Sequence, residues 1–124
     1  MKRLMVTGAG GFVGGSVVLQ ARNRWKTLAI TRTPRPPLEH YAARVEVIDI
    51  THRDSLCACM EAFRPDAVIH AAALADIDYC ERHPEEAFAV NTSCTARLAE
   101  YCAAFGARLI YCSTDTVFDG KGGL

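Results

Sequence analysis

The sequence has no surplus of charge of either sign: 14 Lys and Arg balance 14 Asp and Glu. That excludes the basic footprint of a nucleic-acid binder, and the arginines are spread along the chain rather than grouped. No apolar run approaches the roughly 20 residues of a membrane span. The start, MKRLMVTGAGG, is too short in apolar length for a secretory signal and is broken by glycines. These absences lead us to expect a cytoplasmic protein with neither nucleic acid nor membrane as partner. The six cysteines, Cys57, Cys59, Cys80, Cys94, Cys102 and Cys112, include no C-x-x-C pair, and no His stands at metal-finger spacing. They read as reduced, mostly buried small side chains, and no metal site is expected. The composition of a disordered chain is missing too, since half the residues are hydrophobic and 23% are charged. A chain of 124 residues suggests one domain. It can bury about two-thirds of its unfolded surface.

What is present is an alternation of short apolar runs with helical patterns. Arg3 to Thr7, Thr27 to Thr31, Val45 to Ile50, Asp66 to Ala73 and Arg108 to Ser113 read as five buried strands. Phe12 to Arg24 and Asp54 to Phe63 have helical spacing, the second stopped by Pro65. Glu85 to Phe105 reads as one long helix between Pro84 and Gly106, with Ala87, Val90, Cys94, Leu98 and Cys102 along one face. Strand–helix alternation with continuous apolar strands predicts a parallel sheet covered on both faces. Right-handed crossovers make it an α/β doubly wound, Rossmann-like sheet of order 3-2-1-4-5. Such a fold has two halves, and this chain supplies one half and the start of the second. We therefore expect residues 1–124 to be the N-terminal part of a larger domain, incomplete on the C-terminal side and without its substrate-binding part. Its fifth strand is expected to be an uncovered edge through which the isolated chain self-associates.

Between the first strand and first helix lies Thr7-Gly8-Ala9-Gly10-Gly11-Phe12-Val13-Gly14. Gly8, Gly11 and Gly14 are spaced G-x-x-G-x-x-G. The first allows a tight turn, the second a close approach of backbone to a pyrophosphate, and the third close helix–strand packing. The helix N-terminus then aims free N–H groups at the phosphates. At the end of the second strand NAD would favour a carboxylate, yet Arg32 stands there, with Arg35 beyond it. A guanidinium suits a 2′-phosphate, so NADP(H) is expected over NAD(H), with Arg32 the main contact and Arg35 a second. The competing reading is a pair of solvated loop arginines. Asp49 ends the third strand; its carboxylate reads either as an acceptor for an adenine amino group or as part of a helix-capping turn near Thr51. His70, inside an apolar strand, reads as a buried, hydrogen-bonded side chain. Asp76, Asp78 and Glu81 could contact sugar hydroxyls or Mg²⁺. They read more simply as a solvated loop and early helix turn.

With these residues in place the chain resembles an extended short-chain dehydrogenase/reductase. The resemblance is carried by TGAGGFVG, by VEVIDIT, by HAAALADIDYCERHPEEAFAVN, and by STDTVFDG, which is close to the STDYVFDG of the dTDP-4-dehydrorhamnose reductase family. It implies that Gly8, Gly11, Phe12 and Val13 wrap the pyrophosphate, that Asp49 and Ile50 flank the adenine, and that Ala71, Ala72 and Ala73 lie along the cofactor. It implies a catalytic, substrate-contacting role for Thr114 and a sugar-positioning role for Asp115, while Asn91 supports the sheet by bonding backbone. From spacing alone, Thr114 reads equally as a strand-end hydroxyl capping backbone. Thr116 stands where the family has Tyr. The family's Tyr-x-x-x-Lys is absent: Tyr41, Tyr79, Tyr101 and Tyr111 are followed four residues on by Val45, His83, Phe105 and Asp115. The proton donor of the family's chemistry is therefore missing. The implied function is the cofactor-binding part of an NADP-dependent reductase of a nucleotide-linked 4-keto-6-deoxy sugar, inactive by itself. The alternatives are a non-catalytic regulatory or partner-binding module and a sugar-nucleotide epimerase or dehydratase.

Overall fold

A computed structural model of the chain describes residues 1–114, 117 and 119–122. Five strands, β1 (Arg3–Thr7), β2 (Lys26–Thr31), β3 (Arg44–Val47), β4 (Ala67–His70) and β5 (Arg108–Tyr111), form one sheet in the order β3-β2-β1-β4-β5. All four pairings are parallel, with Met5 beside Leu28 and Val68, and Val68 beside Leu109. The helices are α1 (Phe12–Ala21), α2 (Arg53–Phe63), α3 (Ile77–Arg82), α4 (Pro84–Phe88) and α5 (Cys94–Phe105). The expected order 3-2-1-4-5 is the observed one.

Alternation along the strands divides the core in two. Met5, Leu28, Ile30 and Val68 point to one face and pack with Leu56, Met60 and Phe63 of α2 and Cys94, Leu98 and Cys102 of α5. Leu4, Val6, Ala29 and Ala67 point to the other and pack with Val18 and Ala21 of α1 and with Leu38. On this second face no described residue covers β5: Ile110 is 48% exposed. The next residue, Tyr111, is 50% exposed, whereas Leu109 packs against the first cluster.

Several boundaries differ from the sequence expectation. β3 stops at Val47 and β4 at His70, and the residues that follow each line the cleft described below; β5 stops at Tyr111. α1 ends at Ala21 rather than Arg24. The long helix is divided: α4 passes through a π-helical turn, Ala89–Ser93, into α5. Pro84 and Gly106 do bound this stretch, Gly106 with φ +70° at the C-cap of α5. α2 ends at Phe63, with its C-cap Arg64 held at φ 52° immediately before Pro65. Of the six cysteines, Cys59, Cys94 and Cys102 are buried, Cys57 and Cys80 partly so and Cys112 exposed, and all are free thiols.

Candidate functional site

The C-terminal ends of β1, β2 and β4 open onto a cleft of about 390 Å³. It lies where the strand order reverses, between β1 and β4, which is where open α/β sheets hold ligands. Its floor is the turn after β1. Gly8 has φ +66°, and a Cβ there would come within 2.6 Å of the Ala72 backbone nitrogen. Gly14 packs so closely on the turn that a Cβ would overlap the Gly8 carbonyl. The turn is closed by Gly11 N–H donating to Gly8 O at 3.0 Å and tied to β2 by Ala9 N–H donating to Ile30 O at 3.0 Å. Absent side chains thus leave the room that the cleft occupies.

Of the residues expected at a cofactor, Gly8, Gly11, Arg32, Asp49, Ile50, Ala71, Ala72 and Ala73 all line this one cleft. Arg35, the second guanidinium, is there too. Phe12 and Val13 are not among its lining: Phe12 is 93% exposed at the start of α1. Gly14 is buried behind the turn. Thr114 lies exposed just past β5 and outside the cleft lining, and Asp115 lies outside the described residues.

The Arg32 and Arg35 guanidinium groups form no hydrogen bond or ion pair among the described residues. Asp49 closes a local turn with Thr51, while the N-cap position of α2 is His52. Asp49 lines the cleft, and its Oδ1 accepts from the Thr51 hydroxyl at 2.7 Å and the Thr51 amide at 2.9 Å. The Thr51 hydroxyl, then its amide, hold the Asp49 carboxyl below its ordinary pKa, with Arg32 adding to the effect. The opposite wall carries Glu86, Ala89 and Val90, spaced i, i+3, i+4. Glu86 Oε2 accepts from the Tyr79 hydroxyl at 2.6 Å, which raises the pKa of that phenol. Sequence reasoning missed Gly10, Thr31, Leu74 and Glu86 as cleft residues. The spacing after Pro84 was the available signal for Glu86, but it was assigned to a single helix facing the core.

The other candidates resolve locally. Asp76 caps α3, accepting from Tyr79 N–H at 2.9 Å, and Asp78 lies in the first helical turn. Among the described residues no group of three His, Cys, Asp or Glu side chains could hold a metal ion. His70 is 1% exposed, and both ring nitrogens are hydrogen-bonded. Asn91 grips the Leu74 backbone with both ends of its amide, accepting from N–H at 2.8 Å and donating to C=O at 3.0 Å.

A parallel, doubly wound sheet with a glycine turn at its switch point defines a Rossmann-like domain. Residues 1–123 match the family described as the RmlD substrate binding domain, and the chain belongs to that family. It is 32% identical over 122 residues to a dTDP-4-dehydrorhamnose reductase of Aggregatibacter actinomycetemcomitans, covering 97% of this chain and 37% of that protein. It is 32% identical over 121 residues to the methionine adenosyltransferase 2 subunit beta of Bos taurus, covering 96% of this chain and 34% of that one. A crystal structure of a hypothetical dTDP-4-dehydrorhamnose reductase from Sulfolobus tokodaii superposes with a TM-score of 0.87 at 27% identity, over 99% of this chain and 42% of that one. The chain thus spans little more than a third of the length of the curated relatives it matches.

Proposed function

We propose that this chain is the dinucleotide-binding part of an NADP-dependent reductase acting, in the cytoplasm, on a nucleotide-linked 4-keto-6-deoxy sugar, with the substrate-binding part outside residues 1–124. What carries the reading is the meeting, in one cleft, of a glycine turn with two guanidinium groups that form no ion pair within 4.0 Å among the described residues. The cleft fits the group: Gly8 and Gly14 leave no space for a Cβ, and Ala71, Ala72 and Ala73 keep its wall low. Gly8 and Gly11 would hold the pyrophosphate, Asp49 and Ile50 the adenine, and Arg32 with Arg35 the 2′-phosphate. The reductase relatives support the substrate class. When bound, the reduced nicotinamide supplies a hydride to the ketone carbon. The Thr114 hydroxyl would hold the ketone oxygen and Asp115 the sugar. No Tyr-x-x-x-Lys pair occurs in these 124 residues, so the chain by itself binds the dinucleotide without turnover. The bare β5 edge, with Ile110 and Tyr111 exposed, favours self-association of the isolated chain. A concentration-independent monomer in sedimentation would count against this last point.

Fluorescence titration with NADPH and NADH tests the assignment. Arg32→Ala should weaken NADPH binding about ten- to hundredfold, the range of a lost hydrogen bond to a charged group, and leave NADH within about twofold. An unchanged NADPH-to-NADH ratio refutes the role of Arg32. Oxidation of NADPH by the chain with a dTDP-4-keto sugar would refute its inactivity alone. The similarity to the bovine subunit supports a second reading, a non-catalytic nucleotide-binding partner module. Dinucleotide binding without turnover in the protein as its source makes it would favour that module.

A further inference from the structure

We propose that a hydrogen-bond chain through buried His70, joined through the Asn91 residue to the clamp on Leu74, sets the shape of the cleft wall, so that His70 is a positioning residue for whatever the cleft binds. The inference deepens the dinucleotide reading and rests on it only for the identity of the ligand.

The hydrogen-bond chain begins in the wall, and the Asn91 clamp returns to it. Ala72 N–H donates to Thr7 Oγ1 at 3.3 Å. Thr7 Oγ1 lies 2.6 Å from His70 Nδ1, and His70 Nε2 lies 2.9 Å from Thr95 Oγ1. The Thr95 hydroxyl donates to the Asn91 carbonyl at 3.1 Å, and the Asn91 side-chain amide returns to both backbone groups of Leu74. Ala72 and Leu74 both line the cleft, with Ala73 between them.

Every hydrogen in the hydrogen-bond chain can be assigned. A carbonyl only accepts, so the Thr95 hydrogen goes to Asn91 and its oxygen must accept from His70 Nε2–H. The buried ring is neutral, since burial disfavours its cation and no charged neighbour among the described residues opposes that. Nδ1 is therefore bare and accepts the Thr7 hydroxyl hydrogen, leaving the Thr7 oxygen free for Ala72 N–H. All donors point the same way, from Ala72 to Asn91, an arrangement in which each bond polarises the next. Thr7, His70 and Thr95 come from β1, β4 and α5, so these bonds couple three elements to one loop. Removing one hydroxyl should be felt at the far end of the hydrogen-bond chain.

The test is Thr95→Val, nearly isosteric and distant along these bonds from Ala72. Leu98→Val, buried one turn further along α5, is the control for simple loss of packing. Ring ¹⁵N spectra of the unaltered protein should show Nε2 protonated and Nδ1 bare. In Thr95→Val the proton should shift toward Nδ1. Amide exchange at Ala72 and Leu74 should become about tenfold faster than in Leu98→Val, as expected for one net hydrogen bond. NADPH affinity should fall about fivefold on the same scale, and Thr95→Ser should restore all three. Equal exchange in the Thr95→Val and Leu98→Val proteins, or a proton on Nδ1 in the unaltered one, overturns the hydrogen-bond chain. If the unaltered protein binds neither NADPH nor NADH, the dinucleotide reading fails, and the exchange and ring-nitrogen results still decide the hydrogen-bond chain.

Discussion

Two glycines in this chain share a backbone conformation and differ in their surroundings, which makes them a controlled pair. Gly8 has φ +66° and Gly106 has φ +70°. An alanine at either pays the left-handed penalty, about 1–2 kcal/mol for an L-residue. At Gly106 a Cβ meets nothing within 4 Å, so that penalty is the whole expected cost. At Gly8 it would lie 2.6 Å from Ala72 N and 2.7 Å from the Ala71 carbonyl carbon, both backbone atoms that cannot rotate aside. Forcing the turn away from β4 adds about 1–3 kcal/mol, the usual range for overpacking. Gly8→Ala should therefore cost about 2–5 kcal/mol against about 1–2 for Gly106→Ala. Urea unfolding followed by circular dichroism measures both, with equal m-values confirming a shared two-state transition. Because the displaced atoms form the cleft wall, Gly8→Ala should also weaken dinucleotide binding while Gly106→Ala leaves it intact. Equal costs in the two variants would refute the claim that the turn is packed against β4.

Two other perturbations follow from the charges in and behind the cleft. His70 has its pKa lowered by burial, so the unfolded chain takes up a proton that the folded one resists. Its contribution to stability is complete above the unfolded value of about 6.5 and is lost as pH falls from there toward the folded value. Unfolding free energies from urea titrations should drop on acidification from about pH 7 to pH 5, with a slope of at most about 1.4 kcal/mol per pH unit from this one proton. His70→Asn should flatten that slope, and an unchanged slope would show that another group causes it. Glu86 places a carboxylate in a cleft proposed to receive phosphates. Glu86→Gln should tighten NADPH binding about two- to fivefold at low salt, less at high salt, and affect NADH less. Weaker binding would mean that Glu86 contacts the ligand directly.

The strand order, the glycine turn and most of the cleft were legible in the chain because each depends on neighbours close in sequence. RLMVT followed by TGAGG encodes a buried strand and a turn within a dozen residues. Parallel pairing and right-handed crossovers leave few arrangements for five such strands. Arg32 could be placed beside Gly8 because both follow adjacent strands, so their position at one sheet edge is a matter of topology. The shorter ends of β3 and β4 were not legible, since apolar residues such as Ile50 and Ala72 continue the strand pattern while turning aside to line the cleft. The division of the long helix at Ala89–Ser93 was hidden as well, because apolar spacing alone does not register one π turn.

What the sequence by itself determined, then, was the sheet, its order and the polarity of its working edge. Tertiary structure alone decided which side chains meet there. Thr7 and His70 are 63 residues apart, His70 and Thr95 25, and Asn91 and Leu74 17. The reason is physical: hydrophobic periodicity is a one-dimensional signal of burial, carrying the period of an element and the face it hides. A hydrogen bond needs two groups within about 3 Å at the right angle, and only the packing of one element against another sets that distance.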